Sequence, residues 1–257
     1  MIKNKNDVRY SWLFGLHAVY PVLKTSGSKI KELRVQKGRD DQRFKKIINL
    51  AELQDISIFW VTRSDLDELS GGSHQGVAAL CENTKVYDES YLFELIDNLE
   101  KIPFLLILDS LTDPHNLGAC MRSAEAAGIQ AVIIPKNNAV GITPVVQKVA
   151  CGATEFIPLI VVTNLSRTLK CLQDKGIWVI GTAGEAENEL YDTDLQGPLA
   201  LVMGAEEKGM RRLTRENCDI LVKIPMMGLI NSLNVSVATG ICLFEATRQR
   251  KKRQTKV

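Results

Sequence analysis

The chain has 257 residues, of which 45% are hydrophobic and 24% are charged, and its net charge is +2. This composition is that of a globular protein, and the length suits one large domain or two modest ones. No apolar run approaches the ~20 residues that cross a membrane, and the N-terminus lacks the apolar core of a signal peptide. We therefore expect a cytoplasmic protein without membrane association.

The six cysteines are spread along the chain without a C-x-x-C pair, at Cys81, Cys120, Cys151, Cys171, Cys218 and Cys242. Their mostly apolar neighbours predict buried, reduced thiols and not a disulfide framework. The three histidines are far apart, and no cluster of His, Cys and carboxylates has the spacing of metal ligands. We expect no bound metal.

Positive charge is concentrated near the two ends of the chain. Residues 1–81 carry 13 Lys and Arg against nine Asp and Glu, and residues 248–257 carry six basic residues and no acidic one. Since the whole chain has a charge of +2, the residues between these regions have a net charge of −8. The asymmetry predicts that the N-terminal region and the tail contact a polyanion; a solvated surface and a solubilising tail are the alternative.

The first eighty residues alternate between helix and strand patterns. The predicted order is helix "GLHAVYPVL", strand "IKELRV", helix "DQRFKKIINLAEL" with Asp40 or Asp41 as its cap, strand "ISIFWV", loop "ELSGGSHQG" and strand "VAAL". This order predicts a small α/β domain over residues 1–81. The polar segment 82–100 is predicted to be a linker.

A longer alternation begins near residue 104. The continuous apolar run "FLLILD" is typical of a strand buried on both faces of a parallel sheet. The predicted sequence of elements continues with loop "SLTDPHNLG", helix "ACMRSAEAA" closed by Gly128, strand "AVIIP", helix "TNLSRTLKCLQDKG", strand "IWVIG", then "PLALVMG", "GMRRLTREN", "DILVKIP" and a final helix. This repetition predicts an α/β domain with a mostly parallel sheet over residues 101–257.

Three loops that follow predicted strands are rich in Gly, Asn and Ser. They are "GTAGEAENE", "MGAEEKGM" and "PMMGLINSLN". Ligands of parallel sheets bind beyond the carboxyl ends of strands, and glycine lets the backbone approach a ligand closely. The loops therefore predict a ligand pocket. The absence of G-x-G-x-x-G and of G-x-x-x-x-G-K-[ST] disfavours dinucleotide and P-loop sites.

A fourth loop and its helix, "LDSLTDPHNLGACMRSAEAAG", contain Asn116 near the predicted helix start and Arg122 six residues later. Asn116 could be a helix cap, and Arg122 could be a surface residue. However, a guanidinium on a helix of small residues needs an anionic partner, and phosphate is a reasonable one.

Three segments now identify a family by resemblance. "DPHNLGACMRSAEAAG", "LVMGAEEKGM" and "IPMMGLINSLNVSVATGICLFEA" resemble, in order and spacing, the three motifs of the SpoU (TrmH-like) class of RNA ribose 2′-O-methyltransferases. The resemblance covers residues 104–250. "GLHAVYPVL" and "HQGVAAL" are similar to segments of the members that methylate a guanosine of 23S ribosomal RNA in the peptidyl-transferase region. The second motif departs from the usual pattern, because Glu207 and Lys208 stand where a small residue, often Gly, follows the motif glutamate.

The resemblance implies an architecture and partners. The C-terminal domain would be an α/β fold with a deep trefoil knot that binds S-adenosylmethionine (SAM). The N-terminal domain would be a ribosomal-protein-like RNA-binding domain. The protein would be an obligate homodimer with sites at the subunit interface, and its substrate would be 23S ribosomal RNA or a large-subunit assembly intermediate. A transfer RNA methyltransferase and a non-catalytic RNA-binding assembly factor remain the alternatives.

The resemblance also implies a set of site residues. Main-chain and loop groups that would hold SAM belong to Thr182, Ala183, Gly184, Met203, Gly204, Ile224, Met226 and Leu233. The residues expected to act in catalysis are Asn116, Arg122, Glu206, Ser232 and Asn234. A guanidinium has a pKa above ~12 and is a poor general base, so Arg122 is expected to grip a phosphate and stabilise developing alkoxide charge.

The other four catalytic candidates are expected to orient the substrate and to support the loops of the site. Asn116 and Asn234 would orient the backbone and the ribose. Glu206 would fix the motif loops, and Ser232 would support the cofactor loop or the target. Each of these residues could instead be a helix cap or a loop brace.

Overall fold

Residues 10–39, 41–70, 74–82, 85–205, 208–229 and 231–254 are described by the structure, a computed structural model. In chain order the elements are β1 (Tyr10–Phe14), α1 (Leu16–Ser26), β2 (Ile30–Gln36), α2 (Gln42–Leu53), β3 (Ser57–Val61), α3 (Arg63–Ser70), β4 (Val77–Glu82), β5 (Val86–Tyr87), α4 (Glu89–Asp97), β6 (Phe104–Asp109), α5 (Pro114–Ala127), β7 (Ala131–Pro135), α6 (Pro144–Ala150), β8 (Leu159–Val162), α7 (Leu165–Asp174), β9 (Trp178–Thr182), β10 (Asn188–Glu189), β11 (Leu199–Gly204), α8 (Arg212–Glu216), β12 (Ile220–Lys223) and α9 (Val235–Gln254).

The chain divides into two compact units. The first contains Met1–Thr84 and Ile142–Glu155, and the second contains Lys85–Gly141 and Phe156–Val257. The segment predicted as a linker, residues 82–100, includes β5 and α4, and both elements belong to the second unit.

The first unit is built on a four-stranded sheet with the order β1-β4-β2-β3. β4 is antiparallel to β1 and β2, and β3 is parallel to β2. Leu33 and Val35 of β2 are buried and pack in one core with Phe44 and Ile47 of α2. Asp41 caps α2 by accepting hydrogen bonds from the backbone N–H groups of residues 43 and 44, as predicted for one of the two candidates; Asp40 lies outside the described residues.

The second unit contains an eight-stranded sheet with the order β10-β12-β9-β11-β6-β7-β8-β5, in which every described pair of neighbours is parallel. The prediction of an α/β fold with a mostly parallel sheet is confirmed. All six residues of β6 and all five of β7 are buried, which explains their continuous apolar sequences. β11 lies between β9, which precedes it closely in the chain, and β6, which ends far earlier at Asp109.

Several elements were not predicted. Helix α5 begins at Pro114 and not at Ala119, because the side chain of Asp113 accepts a hydrogen bond from the N–H of His115 and Pro114 occupies the first helical position. The prediction of a loop over Pro114–Gly118 was therefore wrong. β1, α3, α6 and β8 were also missed, because these elements are short and their patterns are weak without their tertiary neighbours.

All six cysteines are free; Cys81, Cys120 and Cys242 are buried and the other three are half-buried. Burial raises the pKa of Cys81, Cys218 and Cys242 to about 12. Within the described ranges, no group of three or more His, Cys, Asp or Glu side chains could hold a metal ion. None of the described helices combines the length and apolarity needed to span a bilayer.

The basic C-terminal region is not a free tail up to residue 254, because α9 continues to Gln254. The guanidinium of Arg250 donates to the carbonyls of Ile102, Pro103, Leu195 and Gly197, and it lies 4.3 Å from the ring centroid of Phe104. Burial lowers the pKa of Arg250 to about 10. Arg248 pairs with Glu245. Two of the six tail cations thus have partners within the protein, and contact of the tail with a polyanion stays a prediction.

Replacement of Arg250 by methionine is expected to lower the free energy of unfolding by about 2 kcal/mol, because hydrogen bonds from a charged donor contribute more than neutral ones. Urea titration of the full chain measures this change. The matched control is Arg212→Met, which removes only an exposed i,i+4 pair with Glu216 and should cost less than about 0.5 kcal/mol. Equal losses in the two variants would contradict a structural role for Arg250.

Candidate active site at the carboxyl edge of the parallel sheet

Four neighbouring strands end at the same edge of the sheet. β12, β9, β11 and β6 are parallel and adjacent, and Gly204 at the end of β11 pairs with Asp109 at the end of β6. The segments that follow these strands are therefore neighbours. The structure brings the three loops predicted to hold a ligand to one edge, next to the loop that precedes α5.

The predicted cofactor-binding residues lie at the ends of β9, β11 and β12. Thr182 Oγ1 donates to the carbonyl of Val202 at 3.2 Å and lies 3.6 Å from Sδ of Met203. The N–H of Ala183 donates to the carbonyl of Val222 at 2.9 Å. A Cβ at Gly184 would lie 3.9 Å from the carbonyl oxygen of Asn231. These contacts place the loop after β9 against the ends of both adjacent strands.

Gly204 is required by the close approach of two backbone segments. A Cβ at this position would overlap the backbone of Gly209 and Met210. Ala205 and Gly209 exchange backbone hydrogen bonds of 3.1 and 2.8 Å, which close the turn. The glycine predicted to bind a cofactor therefore also permits the loop after β11 to fold back on its strand.

The segment after β12 leaves backbone groups available to a ligand. Among the described residues, none makes a backbone hydrogen bond with residues 226–229 or 231–233. Ile224 and Met226 are half-buried, whereas Met227, Leu229 and Leu233 are exposed. Unused amide and carbonyl groups beside exposed apolar side chains fit a ligand that has both polar and apolar parts.

Two of the predicted catalytic residues are in direct contact. Nδ2 of Asn234 donates to Oδ1 of Asn116 at 2.9 Å. Asn116 is buried in the first turn of α5, so Asp113, and not Asn116, is the cap of that helix. Oδ1 of Asn234 accepts from the N–H of Ser236 at 3.0 Å, which caps α9. Asn234 is therefore a helix cap whose amide group also contacts the first turn of α5.

The remaining catalytic candidates are not joined to this pair within the described chain. Arg122 and Ser232 are exposed, and no ion pair links Arg122 to a described residue. Arg122 follows Asn116 by six residues, so the two side chains leave α5 about 120° apart. Glu206 and Glu207 lie outside the described residues.

Sequence reasoning missed an ion pair at the same edge. Asp109 is fully buried, and its carboxylate accepts from the N–H of Arg211 at 2.8 Å, from Nε of Arg211 at 2.7 Å and from Oγ of Ser110 at 3.1 Å. The sequence signal for this ion pair was Asp109, an acidic residue at the carboxyl end of an otherwise apolar strand. A buried carboxylate requires a hydrogen-bond donor. A cavity of about 590 Å³ adjoins the pair, and its lining includes Ser110, Thr112, Asn116, Asn138, Lys208 and Arg211.

Comparison with known proteins assigns this edge to a family. The SpoU rRNA Methylase family matches residues 103–244, which run from β6 into α9 and contain every strand end described above. The chain belongs to the SpoU rRNA methylase family. A second match, to the domain described as RNA 2′-O ribose methyltransferase substrate binding, covers residues 12–86 of this SpoU protein.

Relatives of the SpoU chain are similar over almost its full length. The 23S rRNA (guanosine-2′-O-)-methyltransferase RlmB of Shewanella oneidensis is 56% identical over 240 residues, which cover 93% of this chain and 97% of the relative. A crystal structure of an RNA 2′-O ribose methyltransferase has a TM-score of 0.77 at 25% identity, covering 95% and 90% of the two chains. The SpoU methyltransferase AviRb of Streptomyces viridochromogenes, in complex with AdoMet, has the same fold, with a TM-score of 0.76 at 20% identity over 97% and 95%.

The close approach at Gly204 makes a specific prediction for this SpoU chain. Gly204→Ala should displace the loop after β11 and lower the free energy of unfolding by about 1–3 kcal/mol, as overpacking does elsewhere. Gly197→Ala is the control, because a Cβ there meets nothing within 4 Å. Thermal unfolding of both variants measures the difference. A Gly204→Ala protein as stable as the control would contradict the backbone packing described here.

Proposed function

We propose that the protein transfers the methyl group of SAM to the ribose 2′-hydroxyl of a guanosine in 23S ribosomal RNA. The observation that carries this proposal is the 56% identity with a 23S rRNA (guanosine-2′-O-)-methyltransferase over 93% of the chain. The geometry supports it, because three ligand loops and the Asn116–Asn234 pair lie at one edge of the sheet.

The residues at this edge fit SAM. Thr182, Ala183 and Gly184 would contact it from the loop after β9, and Met203 and Gly204 from the end of β11. Ile224, Met226 and Leu233 would offer main-chain groups from the segment after β12. When bound, SAM supplies an electrophilic methyl group on a sulfonium. The crystal structure of AviRb in complex with AdoMet, which shares the fold, supports SAM as the cofactor.

The knot implied by the sequence motifs belongs to the same proposal. β11 is inserted between β6 and β9, and the segment after β12 returns to the edge where the loop after β9 lies. We propose that the chain threads a trefoil knot in this region. The tight backbone approach at Gly204 and the unpaired backbone of residues 226–229 are features that such a passage would require.

A homodimer would complete the site. Arg122 is exposed and lies about 120° from Asn116 around α5, so a single chain does not bring the two together. α9 packs on α5 and leaves Val237 and Phe244 51% and 49% exposed. We propose that these apolar side chains contact a second subunit and that the two subunits share each active site.

Each of the candidate catalytic side chains has a separate role in the proposed reaction. The 2′-hydroxyl is a poor nucleophile that must lose its proton as it attacks. Arg122 would hold the adjacent phosphate and stabilise the alkoxide charge as it develops. Asn116 and Asn234 would orient the ribose, because capping α9 fixes the direction of the Asn234 amide. Glu206 would fix the motif loops, and Ser232 would support the cofactor loop or the target.

We assign RNA binding to the first unit. Its match to a substrate-binding domain covers residues 12–86. Lys31 lies 4.6 Å from the ring centroid of Tyr10, and the Arg34 guanidinium lies 4.7 Å from that of Trp12, so cations and aromatic rings are paired on its sheet. Such pairs suit contact with phosphates and bases. We propose a ribosomal-protein-like RNA-binding domain that brings 23S RNA, or a large-subunit assembly intermediate, to the methyltransferase domain.

The proposed activity predicts two results with purified protein. Calorimetry should find one SAM per subunit, and labelled SAM should modify a single guanosine of 23S RNA at its 2′-oxygen. Mapping of 2′-O-methyl groups in a strain that lacks the protein should show the same position unmodified. Methylation of transfer RNA instead would support the other enzyme class. RNA binding without any SAM binding, even with RNA present, would support a non-catalytic assembly factor.

A second prediction tests the role of Arg122. Arg122→Ala should lower kcat by ~10²-fold or more with little change in SAM affinity, because the charge that it stabilises develops in the transition state. Arg122→Lys should recover little, since an ammonium lacks the planar two-pronged grip. Steady-state kinetics across pH measures both variants.

Two outcomes would change the assignment of Arg122. A lysine variant whose rate returns only at high pH would favour a general-base role. Unchanged activity of Arg122→Ala would remove the residue from the mechanism. The matched control is Arg167→Ala, which alters an exposed arginine that pairs with Glu89 beside β8 and β5, away from the ends of β6, β9, β11 and β12.

A further inference from the structure

The cavity beside the ligand loops has neutral polar, charged and apolar groups in its lining, and its charged groups are Asp113, Lys208 and Arg211. Ser110, Thr112, Asn116 and Asn138 contribute hydroxyl and amide groups to a volume of about 590 Å³. Two of these residues have positive φ, 63° at Ser110 and 58° at Asn138, although neither is glycine. Non-glycine residues in this region of φ/ψ space cluster at ligand-binding sites.

Arg211 enters this cavity in a fixed orientation. Its N–H and its Nε both donate to the fully buried carboxylate of Asp109, at 2.8 and 2.7 Å. Ser110 Oγ donates to the same carboxylate. Because the backbone N–H and Nε of Arg211 both bond the carboxylate of Asp109, the side chain has little rotational freedom. The plane of the guanidinium is therefore fixed before a ligand binds.

The two terminal nitrogens of Arg211 are left for a ligand. Neither makes a hydrogen bond or an ion pair with any residue in the described part of the chain, and the side chain is 43% exposed. Terminal guanidinium nitrogens present parallel donors that match two acceptors in one plane. The O6 and N7 atoms of guanine are such a pair.

We infer that Arg211 is a specificity-determining residue that donates from its terminal nitrogens to O6 and N7 of the target guanine. This inference rests on the proposed function and extends it to base selection. A cavity of about 590 Å³ is larger than a phosphate requires, and its amide and hydroxyl groups can bond the polar edge of a base. Lys208 in the same lining would suit a phosphate, so the test below separates a base from a phosphate. Asn116, which is bonded to Asn234, lines the same cavity, so a base held by Arg211 would leave its ribose near that pair.

The test is a double-mutant cycle that combines one substitution in the protein with the removal of one acceptor atom from the RNA. Substrate RNA is prepared with guanosine or with 7-deazaguanosine, which lacks the N7 acceptor, at the methylated position. The wild type should lose about tenfold in kcat/KM on the 7-deaza RNA, the loss expected for part of a bidentate base contact. Arg211→Gln should be slower on the normal RNA but should treat the two RNAs alike.

Controls separate this contact from a structural effect. Arg212→Gln changes the neighbouring arginine, which pairs only with exposed Glu216, and it should keep the tenfold discrimination. Since Arg211→Gln leaves Asp109 without its cation, the double variant Asp109→Asn, Arg211→Gln provides a neutral pair at the same positions. Thermal unfolding and SAM binding confirm that each variant is folded, and the double variant should also treat the two RNAs alike.

Three results would overturn the inference. Equal sensitivity of wild type and Arg211 variants to 7-deazaguanosine would mean that another group contacts N7. A wild type that does not discriminate between the two RNAs, together with a salt slope of RNA binding reduced by ~0.7 to 0.9 in Arg211→Gln, would assign Arg211 to a phosphate. A wild type that does not methylate the normal RNA would contradict the proposed function itself, whereas an active wild type without the coupling would contradict only the role of Arg211.

Discussion

A carboxylate with no exposed surface lies at the end of β6, and the arrangement of the site follows from the way in which it is neutralised. An unpaired buried charge would cost several kcal/mol, so Asp109 requires a cation that reaches it from a nearby segment. Arg211 meets this requirement from the loop after β11. The pair therefore fastens the end of β6 to the turn that begins at Gly204, and the cavity lies beside this junction.

The two asparagines at the start of α5 and α9 make a second connection across the same edge. Their hydrogen bond joins residues that are 118 positions apart in sequence. Asn234 uses one amide oxygen to cap α9 and its amide nitrogen to contact Asn116, so the position of α9 is coupled to the position of α5. The helix that leaves the ligand loops is thereby fixed relative to the strand end that carries Asp109.

Much of this arrangement could be predicted from the sequence, and the omissions have physical reasons. The buried strands were evident because "FLLIL" and "AVIIP" are continuous apolar runs, and Asp41 and Gly128 were evident as helix ends because capping is local chemistry. β5 and α4 were taken for a linker because they are polar, and only pairing with β8 and burial of Leu92 show their place.

The site was predictable in outline but not in its contacts. The motifs placed Asn116 and Asn234 in the same site, whereas the bond between them depends on the register of β6 and on the packing of α5 against α9. In the tail, the contacts of Arg250 were not predicted. Six cations in ten residues favoured solvent or a polyanion, but Arg250 finds four carbonyls that come from two distant loops, and no local pattern could indicate them.

The position of β11 has a consequence for the order in which the protein can fold. Leu199 pairs on one side with Phe104 and on the other with Trp178, so the centre of the sheet is filled by its penultimate long strand. During synthesis, the facing edges of β6 and β9 stay without a neighbour until residue 204 has left the ribosome. Non-local parallel pairing is slow, and unpaired apolar strand edges favour aggregation. Nascent chains of this protein should therefore depend on chaperones until β11 is in place.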